Sequence, residues 1–498
     1  MDSASPTAAT STAAPYDVLI IGAGAAGMLA ALGARAEEAG LGAGGSSRLL
    51  ILEKMAKAGR KISASGGGRC NFSNTLNARQ FVDRFGHGGK FLGAALKAFP
   101  NQALIDMLAK HGVTGEVEQG YRLYTTSGRG EDVTDAILDE LATAKVPLLT
   151  GRPVQQVAWQ NGFFEVTVGR DAADRPAAGA AGLAETERLS AKTLIIAVGG
   201  ASYPKLGSTG DGYTWAKQFG HTVTPLQAAL VGVHVEELAL CQELQGLRMD
   251  SCVARLVRGK QGGKPLASEP GDLLFAHFGV TGPALLDLSL AVVAELARTS
   301  ESEPLYLSLD LAPDITAEKL RARLDETLKD LGAADRGHAF EARLPKRLRQ
   351  VLWRVADPAT AAEAAAAQAA EATNPADVLA RVRSGVGGNR DYGRATQAEH
   401  PASRTPAAVR DRFIRAIKDW RFTITGTREL EVGEVTDGGV ALNEVDKQTM
   451  MSKKQPGLFF CGEILDLTGR CGGFNLQAAW STGYLAGKSA LKFARAQS

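Results

Sequence analysis

Asp17 to Ala31 reads DVLIIGAGAAGMLAA. Val18 to Ile21 is a short apolar run, the pattern of a strand buried on both faces of a parallel sheet. Gly22, Gly24 and Gly27 follow in the spacing G-x-G-x-x-G. Gly22 allows a tight turn, Gly24 leaves the backbone open to a pyrophosphate, and Gly27 lets the next helix pack close to the strand. That helix is Ala-rich, with Ala25 in its first turn, and it begins with free N–H groups and its positive dipole end at the turn. The spacing alone is a weak signal. A strand before it and a helix after it supply the context in which it denotes a dinucleotide site in an α/β fold.

A second strand is predicted at Leu49 to Leu52, ending in Glu53 and Lys54. An acid at the end of strand two commonly holds the ribose hydroxyls of a dinucleotide. The usual interval from the glycines is ~20 residues, and the Gly/Ser-rich loop Gly40 to Ser47 accounts for the longer spacing here. A solvated strand-end charge is the alternative reading of Glu53.

The chain has 498 residues, 45% hydrophobic and 22% charged, with a formal net charge of +2. This is the composition of an ordinary soluble protein, long enough for several domains. Near-neutral charge gives no global argument for nucleic-acid or membrane binding. No apolar run approaches the ~18 residues of a membrane span. The five cysteines Cys70, Cys241, Cys252, Cys461 and Cys471 are an odd, sparse set, expected to be reduced thiols of a cytoplasmic protein. Residues 1–15, rich in Ala, Ser, Thr and Pro, lack the features of a secretory or transit signal and are expected to form a disordered tail.

Farther along, Pro153 to Val168 alternates and carries aromatics, predicting a small β-meander. Asp171 to Glu187 reads as a variable hairpin loop. Leu194 to Val198 is another buried parallel-type strand, ending at Gly199. Residues 222–421 carry no further dinucleotide motif and read as an insert, with strands near Val231 to Arg258 and helices near Ala317 to Val355 and Asp377 to Arg383. Ala359 to Ala372 is low-complexity, read as a surface helix or an unstructured insertion. The stretch from Arg336 to Arg421 has an excess of about seven basic residues. It reads either as a solvated face or as a docking face for a polyanion.

The chain then repeats its opening pattern. Gly457 to Cys461 is a predicted strand followed by Gly462 and Glu463, and Gly472-Gly473-Phe474-Asn475 precedes an Ala-rich helix from Leu476 to Ala490. Both ends of the chain are expected to build one ligand site on one sheet. Between them, after Glu53, lies Gly59-Arg60-Lys61-Ile62-Ser63-Ala64-Ser65-Gly66-Gly67-Gly68-Arg69-Cys70-Asn71. Its consecutive glycines expose backbone N–H groups. Arg60, Lys61 and Arg69 offer cationic donors for phosphate, and Asn71 offers both a donor and an acceptor. A mobile basic loop is the alternative.

The runs GAGAAG, GRKISASGGGRCNFSN, AVGGASYPKLGSTGDG, LFAHFGVTGPALLDLS and the segment from Glu434 to Gly487 occur in order. Together they make the sequence resemble the BaiN/RdsA-type flavoproteins, also described as aminoacetone-oxidase-like FAD-binding enzymes. The resemblance covers about 16–290 and 420–490. It implies FAD in a Rossmann-like, glutathione-reductase-like domain built from both chain ends (16–221 and 422–498) around an inserted β-barrel plus helical region (222–421). Carried onto this chain, it places Gly22, Gly24, Ala25 and Gly27 at the pyrophosphate and Glu53 at the adenosine ribose. Lys54, Arg60, Lys61, Gly67, Arg69, Asn71 and Gly199 would line the cofactor. Val154 would meet the adenine through its backbone and Gly462 and Glu463 the ribityl chain. Gly473, Phe474 and Asn475 would present a helix N-terminus to the flavin pyrimidine edge, where a helix dipole stabilises the charge of reduced flavin.

Catalytic groups are not fixed by these motifs. Cys70 reads as a buried space-filling thiol or a redox group, although the C-x4-C pair of disulfide reductases is absent. His277 reads as a general acid or a structural turn histidine. Tyr121 and Tyr124 read as substrate contacts or core aromatics. The histidines show no metal spacing, so no metal is expected. No second G-x-G-x-x-G is present, so NAD(P)H would have to bind transiently over the flavin, or another reductant would serve. The favoured reading is NAD(P)H-driven reduction of a polarised C=C bond in a small molecule. The alternatives are a flavin-dependent uridine reductase acting on ribosomal RNA through the basic helical insert, and a flavin-binding sensor without turnover. Oligomeric state is left open.

Overall fold

The computed structural model describes residues 14–40, 46–118, 120–169, 186–259, 264–298, 303–330, 340, 343–358 and 405–497. Nearly all of the 1–15 tail, most of the 171–187 loop, the Ala359 to Ala372 stretch and the helix expected at Asp377 to Arg383 lie outside them. By contacts the chain divides into two compact units, one from residues 1–231 with 428–498 and one from 232–427.

In the first unit, the VLII run becomes β1 (Tyr16–Ile21), with Val18, Leu19 and Ile20 fully buried. It lies between β2 (Leu49–Leu52) and β9 (Glu187–Ile196), parallel to both, with Val18 opposite Leu49 and Thr193. Apolar side chains point from both faces because the strand is central, which is why the sequence does not alternate there. Next to β2 is β6 (Leu148–Leu149). On the other side, the expected meander forms β7 (Val154–Gln160) and β8 (Phe163–Val168), antiparallel to each other and joined to β9. The returning strand, β18 (Leu458–Phe460), pairs parallel with β9 through Leu458 and Leu194. Sequence from both ends of the chain therefore shares one sheet.

The two helices that follow β1 and β18 touch directly. The helix Ala25–Gly40 packs on the helix Phe474–Ala496. A Cβ added at Gly487 would lie 1.7 Å from the Ala30 carbonyl oxygen, and one at Gly483 2.1 Å from that of Ala26. Only hydrogen fits between these backbones. The second helix begins at Phe474 and runs to Ala496, longer at both ends than the sequence pattern indicated. Buried polar groups hold it against a small antiparallel sheet of β3 (Asn71–Asn74), β4 (Gly115–Glu118) and β5 (Arg122–Thr125) and the neighbouring chain. Ser73 Oγ donates to Gln477 Oε1 at 2.7 Å, Trp480 Nε1 to the Phe72 carbonyl at 3.1 Å, and Ser481 Oγ to the Phe99 carbonyl at 2.7 Å. Residues 222–231 belong to this unit, where β10 (Gln227–Ala229) pairs with β17 (Val435–Asp437).

The second unit is a closed antiparallel barrel. Its strands are β11 (Val233–Val235), β12 (Arg248–Arg258), β13 (Ala267–Ala276), β14 (Gly279–Thr281), β15 (Leu305–Asp310) and β16 (Trp420–Thr427), in the order β11-β14-β13-β12-β15-β16. Closure removes the exposed strand edges an open sheet of this size would carry. Leu256, Phe275, Leu307 and Phe422 are fully buried within its core. A short helix, Leu238–Glu243, interrupts the region expected to be all strand. Between β15 and β16 the chain makes the helices Ala317–Asp330, Lys346–Ala356 and Ala407–Lys418. Trp353 stacks on Phe413 at 3.9 Å between centroids. Among the described residues, no helix is long and apolar enough to cross a membrane.

Candidate functional site

The glycines of the first turn divide into those that shape the fold and one that faces open space. Gly22 has φ +100°, and an added Cβ would lie 2.6 Å from the Ala197 carbonyl oxygen. At Gly27 it would be 1.8 Å from the Gly22 carbonyl oxygen. Gly24 would meet nothing within 4 Å. This is the cradle a pyrophosphate needs: walls fixed by two glycines and a bare backbone between them. Glu53 braces it, accepting from the Ala23 N–H and the Met55 N–H, both at 2.8 Å. A carboxylate has further lone pairs for a ribose, so bracing and binding are compatible. Ala25 is buried at the helix start, and no acidic residue occupies that first turn to cancel the dipole.

The second glycine cluster forms a turn in which Gly66, Gly67 and Gly68 all have positive φ, and Cβ atoms at Gly67 and Gly68 would meet nothing within 4 Å. The cations around it are tied to protein acceptors. Lys54 pairs with Asp211 at 2.7 Å. Arg60 donates to the Lys205 carbonyl at 2.9 Å. Arg69 pairs with Glu118 at 2.6 Å and lies over the Tyr124 ring.

Lys61 connects the two segments of the unit: its ammonium is 2.8 Å from Glu463 Oε2 and 3.0 Å from Ser202 Oγ. Glu463 also accepts from the Thr436 N–H at 2.9 Å and from Ser202 Oγ at 3.2 Å. Burial works to raise the Glu463 carboxyl, but Lys61 and these hydrogen bonds together hold it below the usual range. Gly199, with φ +76°, lies beside this carboxylate, and the Gly462 N–H donates to Thr482 Oγ at 3.0 Å. Sequence reasoning missed Ser202 and Thr436. Their signal lay in plain sight, in the polar residues just after Gly199 and just before Gly438, but only the fold brings them to one carboxylate.

Asn71 is engaged by the protein itself. In the amide orientation that satisfies both ends, its nitrogen donates to the Leu123 carbonyl at 3.1 Å and the Ser73 carbonyl at 3.0 Å, and its oxygen accepts from the Gly473 N–H at 3.0 Å. Both donors are consumed, because Asn71 is buried on β3 beside the turn it clasps. The side chain of Asn475 is similarly engaged, donating to the Gly469 carbonyl at 2.9 Å and accepting from its N–H at 2.8 Å. The Phe474 side chain is fully buried among Phe81, Phe85 and Tyr121. What these residues offer a ligand is backbone: the helix Phe474–Ala496 starts at Gly473 without a side-chain cap and without an acid in its first turn. Val154 is half-buried at the first position of β7.

The candidate catalytic groups are scattered. Cys70 is fully buried at φ 54°, and burial pushes its thiol up to about 12, away from a reactive thiolate. His277 belongs to the second unit, exposed in the turn between β13 and β14 with its ring edge-on to Phe278. Tyr121 is half-buried and faces Phe474 at 5.8 Å.

Open glycine backbones and helix starts without an acid in their first turn fit an anionic dinucleotide on the first unit. Residues 16–489 match the family described as HI0933-like protein Rossmann domain. The chain is 29% identical over 471 residues to a 3-dehydro-bile acid delta(4,6)-reductase of Clostridium scindens, covering 95% of this chain and 98% of the relative. It is 29% identical over 479 residues to a ribosomal RNA dihydrouridine synthase of Escherichia coli, covering 94% and 96%. A protein of the same name from Haemophilus influenzae is 28% identical over 468 residues, covering 94% and 96%. The chain therefore belongs to the HI0933-like, BaiN/RdsA-type family of Rossmann-fold, FAD-dependent oxidoreductases.

Proposed function

We propose that this protein binds FAD between its two glycine turns and reduces a C=C bond conjugated to a carbonyl in a small molecule, with NAD(P)H as electron donor. The observation that carries the reading is the open cradle at Gly24, Gly67 and Gly68 beside two helix starts free of acidic residues. The relatives' names support the reaction class. A delta(4,6)-reductase and a dihydrouridine synthase both saturate a C=C bond in conjugation with a carbonyl. In the net reaction one carbon of that bond gains a hydride, the other gains a proton, and NAD(P)H leaves as NAD(P)+.

When bound, FAD supplies the hydride chemistry. The chain's residues position it and set the surrounding charge. Gly22 and Gly27 fix the walls of the pyrophosphate cradle, and Glu53 meets the adenosine ribose. Lys61 keeps Glu463 ionised so that it accepts from the ribityl hydroxyls. The N–H groups that open the helix Phe474–Ala496 favour negative charge at the pyrimidine edge.

A second reading, reduction of a uridine in ribosomal RNA, is favoured by the names of two relatives. The pairing of several of the insert's described cations counts against RNA docking through their face. Arg343 pairs with Asp314, Arg354 with Glu243 and Arg410 with Asp325, while Arg347 donates to the carbonyls of Leu244 and Gln245.

The test is anaerobic mixing of the FAD-loaded protein with NADH or NADPH while the flavin band near ~450 nm is followed. A 3-oxo-Δ4 steroid or uridine-containing ribosomal RNA is then added. Rapid bleaching followed by reoxidation with the steroid supports the first reading, and reoxidation by RNA alone supports the second. Slow reduction by both nicotinamides would favour a sensor.

A further inference from the structure

Two segments of the first unit are laced together at the Glu463 carboxylate, and a tyrosine and an acid meet just beyond the lacing. The Ala201 and Ser202 N–H groups donate to Thr436 Oγ1 at 2.8 and 3.2 Å. A Cβ added at Gly200 would lie 2.3 Å from the same oxygen and 2.9 Å from Glu463 Oε1. The residue after Ser202 on one segment is Tyr203, and two residues before Thr436 on the other is Glu434. The Tyr203 N–H donates to the Glu431 carbonyl at 3.0 Å, and the Tyr203 hydroxyl donates to Glu434 Oε1 at a long 3.5 Å. Hydrogen bonds between catalytic groups are commonly long before substrate arrives. The main chain thus holds this pair one residue from Ser202, whose own hydroxyl donates to Glu463.

Three properties set the pair apart. Tyr203 has left-handed backbone, with φ 54° and ψ 60°. A tyrosine gains nothing locally from that conformation; it persists where the surrounding fold imposes it, and such positions gather at functional sites. Glu434 is open to solvent, yet the protein around it holds its carboxyl above the usual range, against the pull of the Lys61 charge. Lys61 itself pairs with Glu463. Burial and the Glu434 charge keep the Tyr203 phenol protonated above its usual range, with the Arg428 charge pulling the other way. An accessible but desolvated acid joined to a protonated phenol is the arrangement of a proton-delivering site.

We propose that Tyr203 delivers the proton in the reduction, and that Glu434 orients its hydroxyl and connects it to solvent. This rests on the proposed function, which puts Glu463 at the ribityl chain and so makes the pair part of the flavin site. With hydride added to the carbon β to the carbonyl, the electron pair of the C=C bond moves to the carbonyl oxygen as an enolate. The enolate pair then takes the Tyr203 hydroxyl proton at the α carbon, which forms the second C–H bond and leaves a tyrosinate. A solvent proton passed by Glu434 restores the phenol, and NAD(P)H is the reductant consumed. An enolate carbon is far more basic than a phenolate, so a phenol kept protonated still yields its proton in this step.

The experiment compares FAD-loaded wild type, Tyr203→Phe and Glu434→Gln. The flavin is reduced anaerobically with NADH or NADPH and then mixed with a 3-oxo-Δ4 steroid or uridine-containing ribosomal RNA, while the band near ~450 nm is followed. Tyr203→Phe should hold FAD, accept electrons and bind the acceptor as wild type does, but its reoxidation should slow by about 100-fold or more. A second readout needs no turnover: the tyrosinate absorbance titration, taken as the difference between wild type and Tyr203→Phe. Tyr203 should ionise above the ordinary tyrosine range, and Glu434→Gln should bring that ionisation down, because the Glu434 charge is one of the causes that raise it. Reoxidation of Tyr203→Phe at the wild-type rate, loss of FAD or acceptor binding in step with the rate, or a tyrosine titration that Glu434→Gln leaves in place would overturn the assignment alone. A wild-type flavin that neither acceptor reoxidises would overturn the proposed function and the assignment with it.

Discussion

The cations of the two units are tied down to different ends. In the barrel unit they are spent on carboxylates: Arg255 and Lys418 meet Asp310, Arg258 meets Glu295, Arg354 meets Glu243 and Arg410 meets Asp325. In the first unit Lys54, Lys61 and Arg69 also meet carboxylates, but beside the open glycine turns, and Lys61 ties the two segments of the unit together. The basic excess between Arg336 and Arg421 was the conspicuous charge feature of the sequence, yet several of its described members are tied within the unit, Arg354 to Glu243, Arg410 to Asp325 and Lys418 to Asp310. Count of charge locates neither binding nor specificity; pairing does.

The glycine turn gives the sharpest ways to break this contrast. Gly27→Val puts side-chain atoms where a Cβ already falls 1.8 Å from the Gly22 carbonyl oxygen. The expected loss is about 3 kcal/mol or more of stability, with flavin binding abolished, both read from thermal melts and the absorption band. Gly24→Val separates the two effects. Its Cβ enters open space, so the apoprotein should melt within about 0.5 kcal/mol of wild type while FAD affinity falls steeply.

Next in size is the clasp between segments. Lys61→Met leaves Glu463 part-buried without its cation, retaining Ser202 and the Thr436 N–H. An expected loss of about 1–3 kcal/mol should appear in chemical denaturation.

The same unit should also be acid-sensitive through Glu444. Burial works to raise this carboxyl, yet Lys454 at 2.7 Å and the N–H and hydroxyl of Thr222 hold it at about 2 against an ordinary 4.5. A folded value below the unfolded one means that its stabilisation is complete above about pH 4.5 and is lost as the pH falls towards about 2. Glu444→Gln should flatten that part of the stability profile. The smallest effect belongs to the insert: Arg354→Ala removes an exposed pair and should cost under about 1 kcal/mol, with no change in FAD binding. Salt-sensitive RNA binding lost in that variant would erase the contrast between the units.

How much of this was legible beforehand depended on distance along the chain. The turn from β1 to its helix is local, and Val18 to Gly27 carries all of its instructions. That β18 joins the sheet of β1 was legible because GLFFC repeats the same strand pattern before a second glycine turn, although its pairing with β9 was not. The barrel is closed by β16, whose partners β11 and β15 lie far back in sequence, and no local pattern announces that pairing. Asn71 was legible as a polar residue in a ligand loop but not as the clasp on Gly473, since its partners come from β3, β5 and the C-terminal segment. The close packing of Gly483 and Gly487 on Ala26 and Ala30 likewise needed the fold to give meaning to GYLAG.

The central claim is that the two glycine turns form one flavin site, and equilibrium titration of the apoprotein with FAD tests it most directly. Wild type, Gly24→Val and Gly473→Val would be compared by the flavin band and by thermal shift. The account predicts that wild type binds FAD and is stabilised by it, and that damage to either turn, one from each end of the chain, abolishes the response. A wild-type chain that takes up no FAD, or a Gly24→Val protein that binds it as tightly as wild type, would contradict the account.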